Sequence, residues 1–444
     1  MTRPLTTFSL ALVITASLGA SAGARSASSE PASLVIVHAG RLLDRPGHAP
    51  RGPSTIVIRD GRVEAVRDGF VTPDASSSEV IDLRTRFVLP GLIDCHVHLR
   101  EERAGVAGQL ATVTVSPAML AYEAGVAARK TIEAGFTTVR NLGDSAGITL
   151  ALRDAIAARM LPGPRIVDAG AGISATAGHG DPTLGFRDDL HEALDLDDNL
   201  CDGIESCRRA VRLQVRRGVD VIKIAATGGV NSRIGLGLGA QMFGDEVKAL
   251  VDTAHMYGKK VAVHAHGADG INLALAAGAD SIEHGTLLDE AGIRLFLKSG
   301  AYYVPTLSTV NGYLERLQRD ANTYSPEVRG KIEWRIKITG EALRKAYPRG
   351  VKIAFGTDAA VSMHGRNADE FELMVKHGMP PSAALVAATV NAADLLGLAA
   401  EIGTLEPGKR ADLIAVDGDP LSDVTVLKKV GFVMKDGRVH KHIP

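Results

Sequence analysis

The chain has 444 residues, 45% of them hydrophobic and 23% charged, with a formal net charge of −1 at pH 7. That length allows a large core and more than one domain. The balanced charge, with no basic block or basic helix, excludes the usual electrostatic footprint of a nucleic-acid partner.

The first residues read as an address. Arg3 supplies a positive n-region, Phe8 to Leu18 is a short apolar run, and both Ala20-Ser21-Ala22 and Ala22-Gly23-Ala24 fit an A-x-A cleavage pattern. The expectation is a signal peptide over 1–24 and a secreted or periplasmic mature chain that is not held in a membrane. The apolar run is too short for a comfortable span, and no later stretch is long enough. The rival reading is an anchor that is never cut. A biased segment, Ser26 to Ser33, follows.

From Leu34 to Asp44 the pattern suggests a strand. Thr55 to Val66 reads as a hairpin turning at Arg59-Asp60-Gly61-Arg62, and Val80 to Leu89 continues the β pattern. The far end repeats the style, with Ala411 to Asp417, Val430 to Lys435 and a second Asp-Gly turn at Asp436-Gly437. The simplest reading is one small β-sandwich domain assembled from both ends, 34–88 and 401–444.

Between them, 89–400 alternates strands and helices. Candidate strands are Leu92–His98, Thr137–Leu142, Arg165–Ala169, Val219–Ala225, Lys260–Ala265, Ser281–His284, Tyr302–Thr306 and Lys352–Gly356. Helical patterns intervene, as over Ala121–Ala134, Ile148–Arg159, Ile204–Arg217, Asp245–Tyr257 and Asp289–Lys298. Alternation of this kind predicts an α/β fold with a parallel sheet, and eight units predict a closed (β/α)8 barrel. A doubly wound open sheet is the rival, but no G-x-G-x-x-G follows the first βα strand. Of the three cysteines, Cys95 reads as a buried free thiol, while Cys201 and Cys207 could pair in an oxidising compartment, which spacing alone does not establish.

Barrel enzymes carry their chemistry at the C-terminal strand ends. Alternate residues on a strand share a face, so His96 and His98 point together, two imidazoles able to grip one cation. Later strands end in Lys223, in His264-Ala265-His266, in Glu283-His284 and in Asp358. Each has a plain structural reading: Lys223 in a buried ion pair, His284 as a hydrogen-bonded core histidine, Asp358 as a helix cap, His266 as a loop residue. Their joint occurrence at successive strand ends is what points to a metal site. His264 and His266 share a face, and spacing does not say which is the ligand.

With those residues in view, the chain resembles the amidohydrolase superfamily. The likeness runs from about residue 34 through Pro90-Gly91-Leu92-Ile93-Asp94-Cys95-His96-Val97-His98 to the return at Gly403–Asp412. It is most similar to the dipeptidase branch, Xaa-Pro and Xaa-Arg/Lys dipeptidases and ochratoxin-cleaving amidases. That rests on Ala177-Gly178-His179-Gly180-Asp181, Lys223–Val230 and Met363-His364-Gly365-Arg366-Asn367.

The resemblance implies two divalent ions, usually zinc. His96 and His98 would hold the more buried ion, and Lys223, carbamylated, would bridge both. His264 and His284 would hold the second ion, while Asp358 would touch the first and act as base. A hydroxide held between the ions would attack an amide carbonyl of a dipeptide or N-acyl amino acid. The family often has a tyrosine where this chain has His266, so an imidazole N–H is the candidate to polarise that carbonyl. His179, Arg233 and His364 are candidates to hold the substrate. The resemblance also implies a homo-oligomer, with an octamer among the forms the branch takes. Two other readings stand beside this one. The same barrel could open a cyclic amide, lactone or phosphotriester, or the chain could be a periplasmic metal- or ligand-binding protein without turnover, against which Asp358 argues.

Overall fold

The computed structural model describes residues 34–71, 79–100, 102–143, 147–190, 199–232 and 237–444. The expected signal peptide, the 26–33 segment and Arg233 lie outside them.

Both ends of this region meet in one seven-stranded sheet. Its strands are β1 (Leu34–Leu42), β2 (Ser54–Arg59), β3 (Arg62–Asp68) and β4 (Glu79–Pro90) from the front, and three from the back of the chain. The two Asp-Gly hairpins form as the sequence predicts. Asp60 and Gly61 have φ of 51° and 78°, and Asp436 and Gly437 have 49° and 72°, the left-handed pair that a two-residue hairpin turn requires.

The barrel follows as β5 (Leu92–Val97), β6 (Phe136–Asn141), β7 (Arg165–Asp168), β8 (Val221–Ala225), β9 (Lys260–Ala265), β10 (Ser281–His284), β11 (Tyr302–Val304) and β12 (Lys352–Ile353). β5-β6-β7 and β8-β9-β10-β11-β12 are parallel ladders. Two seams close them into a ring. Ile173 bridges Ile224, donating to Lys223 O at 2.8 Å, and Val97 bridges Ala359, with Cys95 N donating to Phe355 O at 2.8 Å. The chain then returns to the first sheet through β13 (Leu413–Val416), β14 (Val430–Lys435) and β15 (Arg438–His442). The order there is β15-β14-β13-β4-β1-β2-β3.

Period-two alternation decides what each strand buries. Ile222, Ile224, Val261, Val263 and Ile282 face outward into one core with Val247, Leu250 and Val251 of the helix Gly244–Met256. Val221 and Ala262 face inward and pack with Leu142 and Ala169. In the seven-stranded sheet, Phe87, Leu89, Ile414, Val416 and Val433 join the barrel's core, while Val88, Leu413, Phe432 and Met434 pack against Val35, Val37 and Ile56.

Some strands are shorter than the sequence predicts. β11 stops at Val304, before Pro305, which has no ladder donor. β12 pairs over two residues only; beyond it, Phe355 to Ala359 bonds singly across the β5 seam. Between β11 and β12 lie helices the sequence reading did not place, Thr309–Arg319, Pro326–Lys337 and Glu341–Ala346. Cys201 and Cys207 form a disulfide, and Cys95 is free and buried, burial pushing its thiol upward. Among the described residues no helix is long and apolar enough to cross a membrane.

Candidate metal centre

At the C-terminal mouth of the barrel the strand ends aim imidazoles at one another. His96 and His98 come from β5, His264 and His266 from the end of β9, His284 from β10, and Asp358 from the segment after β12. Asp358 Oδ1 lies 3.2 Å from His98 Nε2 and 3.6 Å from His96 Nε2. Ligand atoms of His96, His284 and Asp358 lie within 4.8 Å of one another, and so do those of His264, His266 and His284. His284 belongs to both groups. Its ring centroid is 5.0 Å from that of His96, 4.6 Å from His264 and 4.8 Å from His266.

Regular strand geometry would not allow all of this. Glu283 and His284 are consecutive, as are Thr357 and Asp358, so each pair should point to opposite faces. The backbone breaks the alternation. His284 and Asp358 have φ of 68° and 58°, a conformation costing about 1–3 kcal/mol outside glycine. Both members of each pair thereby make inward contacts. Thr357 Oγ1 donates to Asp94 at 2.6 Å while Asp358 meets the histidines.

The outer nitrogen of each imidazole is tied down. His96 Nδ1 donates to Glu283 Oε2 at 2.8 Å, and His98 Nδ1 to Gly143 O at 3.3 Å. His264 Nε2 donates to Gly228 O at 3.4 Å. His284 Nδ1 bonds Thr306 Oγ1 at 2.7 Å, His266 Nδ1 bonds Thr286 Oγ1 at 2.8 Å, and His179 Nδ1 bonds Ser232 Oγ at 2.6 Å. Since a carbonyl or carboxylate can only accept here, His96 and His98 present Nε2 as a lone pair and His264 presents Nδ1. Orienting the outer nitrogen in this way is the usual support for a metal-binding imidazole.

A charged layer underlies the cluster. Glu283 is fully buried and also accepts Arg140 Nη2 at 2.8 Å and Ser281 Oγ at 2.5 Å. Arg140 Nε donates to Cys95 O at 2.6 Å. Burial pushes the Glu283 carboxyl up, but Arg140 and His96 outweigh it and hold it down at about 2. Asp358 is likewise raised by burial and drawn down further by His98, His96 and Lys223, to about 2. Burial moves the imidazoles the other way. His96 falls to about 4, and His264, His266 and His284 fall well below the ordinary histidine value. They are therefore neutral, the form that binds metal.

Lys223, on β8 and buried, completes the cluster. Burial lowers its amine to about 8 against the pull of Glu283 and Asp358, and its charge acts on His96, His264, His266 and His284 alike. Among the described residues its Nζ makes no ion pair within 4.0 Å.

The substrate-side candidates divide. His179 lies at the site, its ring stacked on His264 at 4.1 Å. His364 is turned to the loop after β5, donating from Nε2 to Arg100 O at 2.9 Å while its backbone N donates to Glu102 Oε1. Arg233 lies outside the described residues. Sequence reasoning gave no role to Glu283, Arg140, Thr286 or Thr306. Nor did it give one to Asp94, which accepts from Thr357, Asn367 and the His96 backbone and secures the β5–β12 seam.

The chain is similar to known proteins over most of its length. The sequence profile of the amidohydrolase family matches residues 87–440. Ochratoxinase of Aspergillus niger is 32% identical over 432 residues, covering 94% of this chain and 88% of that protein. Among solved structures, a Xaa-Pro dipeptidase with methionine bound in its active site is 41% identical, with a TM-score of 0.86, over 92% of this chain and 100% of the other. A prolidase complexed with N-methylphosphonate-L-proline is 30% identical, with a TM-score of 0.82, over 93% and 100%.

Proposed function

The chain belongs to the amidohydrolase family, and from that premise we propose that it is a binuclear, zinc-dependent hydrolase of the amide bond in dipeptides or N-acyl amino acids. The observation that carries this reading is the pair of ligand groups meeting at His284, with buried Lys223 on the adjacent strand β8, in register with Ala262 of β9. The donor set fits two divalent ions: neutral imidazoles with oriented outer nitrogens, an ionised carboxylate, and a lysine whose amine burial makes available. His96, His98 and Asp358 would hold one ion, and His264 and His284 the other. Lys223 would bridge them as its carbamate, an anionic two-oxygen ligand made by adding CO2 to the neutral amine. When bound, such a pair supplies a nucleophile active at neutral pH and an electrophile for the carbonyl oxygen.

The chain's own groups supply the rest. Asp358, ionised and 12% exposed at its side chain, accepts the proton of the attacking water and delivers it to the departing amine. His266, with its Nδ1 on Thr286, presents Nε2 to the mouth, and with the Thr286 hydroxyl donating to Nδ1 it offers an N–H to the carbonyl oxygen as charge develops. His179 forms the wall beside His264. The dipeptidase and prolidase relatives support a substrate whose amine half is an amino acid.

Export and self-association belong to the same proposal. The Cys201–Cys207 disulfide supports an oxidising compartment. Exposed Val106, Leu110, Val113, Met119 and Tyr122 on the neighbouring helices Gly105–Thr114 and Pro117–Glu133 support a homo-oligomer.

The test is a panel of dipeptides, N-acyl amino acids and lactones given to zinc-loaded protein before and after chelation. Chelator-sensitive, zinc-restored release of a free amino acid is expected. Hydrolysis confined to lactones, or none at all, would overturn the reading.

A further inference from the structure

The helix Pro326–Lys337 lies in the excursion between β11 and β12. It reaches across to the loop after β8: Lys331 Nζ donates to Gly229 O at 3.1 Å and to Ser232 O. Ser232 is the residue that holds His179. Val328 and Ile332 pack with Val230, Tyr313 and Tyr324. The buried residues of this helix are Val328, Ile332 and Arg335, spaced i, i+4, i+7 on one stripe. A guanidinium therefore occupies the third position of an otherwise apolar, inward face.

Arg335 is 3% exposed. Its guanidinium makes one hydrogen bond among the described residues, from Nη1 to Thr339 Oγ1 at 3.2 Å. Among the described residues no carboxylate lies within 4.0 Å of it. Its charge acts on His266 and Asp358 of the candidate centre, and also on Tyr303, Tyr313, Glu370 and His377. Glu370 does not serve as its partner, because that carboxyl is spent on the backbone N–H groups of Leu307 and Ser308. Tyr313, also buried, likewise makes no side-chain hydrogen bond among the described residues.

A buried cation without a counter-ion is unfavourable unless something else supplies the charge. Arg cannot shed its proton, and its planar fork matches a carboxylate in a bidentate pair. We propose that Arg335 receives the free α-carboxylate on the amine half of the substrate, with the Tyr313 hydroxyl as a second donor. This rests on the amide-hydrolase reading above and narrows it: the enzyme is selective for amides of amino acids that carry a free carboxylate.

The test uses zinc-loaded, full-length protein and matched pairs of dipeptides, one member with a free C-terminus and the other its C-terminal amide. Wild type should prefer the free acids, and Arg335→Met should lose on the order of 10²–10³-fold in kcat/KM on the acids. Activity on the amides and the zinc content should change little. Since the substitution removes an uncompensated buried charge, the variant should melt no lower than wild type. L-Proline or L-methionine should raise the melting temperature of wild type and not of Arg335→Met. Arg335→Lys keeps the charge without the fork, and should fold and show an intermediate preference. An acid preference that survives in both variants would overturn the assignment while leaving amide hydrolysis intact. So would an Arg335→Met protein that unfolds, since the guanidinium would then be structural. A wild type that cleaves neither member of any pair would overturn the functional reading, and this assignment with it.

Discussion

Glu283→Gln perturbs the layer that holds the centre while touching no proposed ligand atom. The wild-type carboxylate accepts three donors: Arg140 Nη2 and Ser281 Oγ on Oε1, and His96 Nδ1 on Oε2. An amide has one oxygen, so whichever way it is placed its NH2 group faces a donor. Glu283 is 0% and Arg140 1% exposed, so solvent does not screen the loss, and Arg140 becomes an unpaired buried cation. Breaking such a pair typically costs about 3–5 kcal/mol; because Gln keeps the shape and one acceptor, about 3 kcal/mol is expected. His96 also loses its orienting partner, which typically weakens metal affinity about 10–100-fold. Urea unfolding of the metal-free proteins reads the first effect, and zinc competition against a chromophoric chelator reads the second. A variant matching wild type in both would refute the idea that Glu283 links the charged layer to the centre.

Two further outcomes are expected. His264→Ala should lose an ion, whereas His266→Ala should keep both and lower kcat by about 10²–10³-fold, the usual effect of removing one oxyanion donor; the reverse pattern in elemental analysis and kinetics would exchange their roles. Glu370 is pushed by burial from 4.5 up to about 7, its hydrogen bonds to Leu307 and Ser308 opposing the rise. The folded chain therefore binds more protons than the unfolded one between those values, so this group's contribution to stability falls as pH rises through that window. Glu370→Gln should flatten that part of the curve of urea midpoint against pH, and an unchanged slope would contradict it.

Much of the frame was legible because it depends on local patterns. The Asp-Gly turns required left-handed backbone, and the alternation at His96-Val97-His98 and His264-Ala265-His266 put each pair on one face. What alternation could not convey is where it fails. Glu283 beside His284 reads as one inward and one outward residue, and only the positive φ at His284 brings both inside. The partners of the imidazoles were hidden for another reason. Thr306, Thr286 and Gly143 meet the histidines across strands, and no spacing along the chain encodes those contacts. Arg335 was missed because its helix was not predicted, and a charge on a buried stripe weakens the very period that would have revealed the helix. His364, near a strand end, bonds the Arg100 carbonyl through Nε2, a contact no spacing encodes, while its buried Nδ1 has no partner among the described residues.

The central claim is that two ions share one site through Lys223. Elemental analysis of zinc-grown protein and of its Lys223→Ala variant tests it most directly. Two divalent ions per chain in the wild type are predicted, with at least one lost, together with activity, in the variant. A reproducible value near one in the wild type, or an unchanged content with full activity in Lys223→Ala, would contradict it.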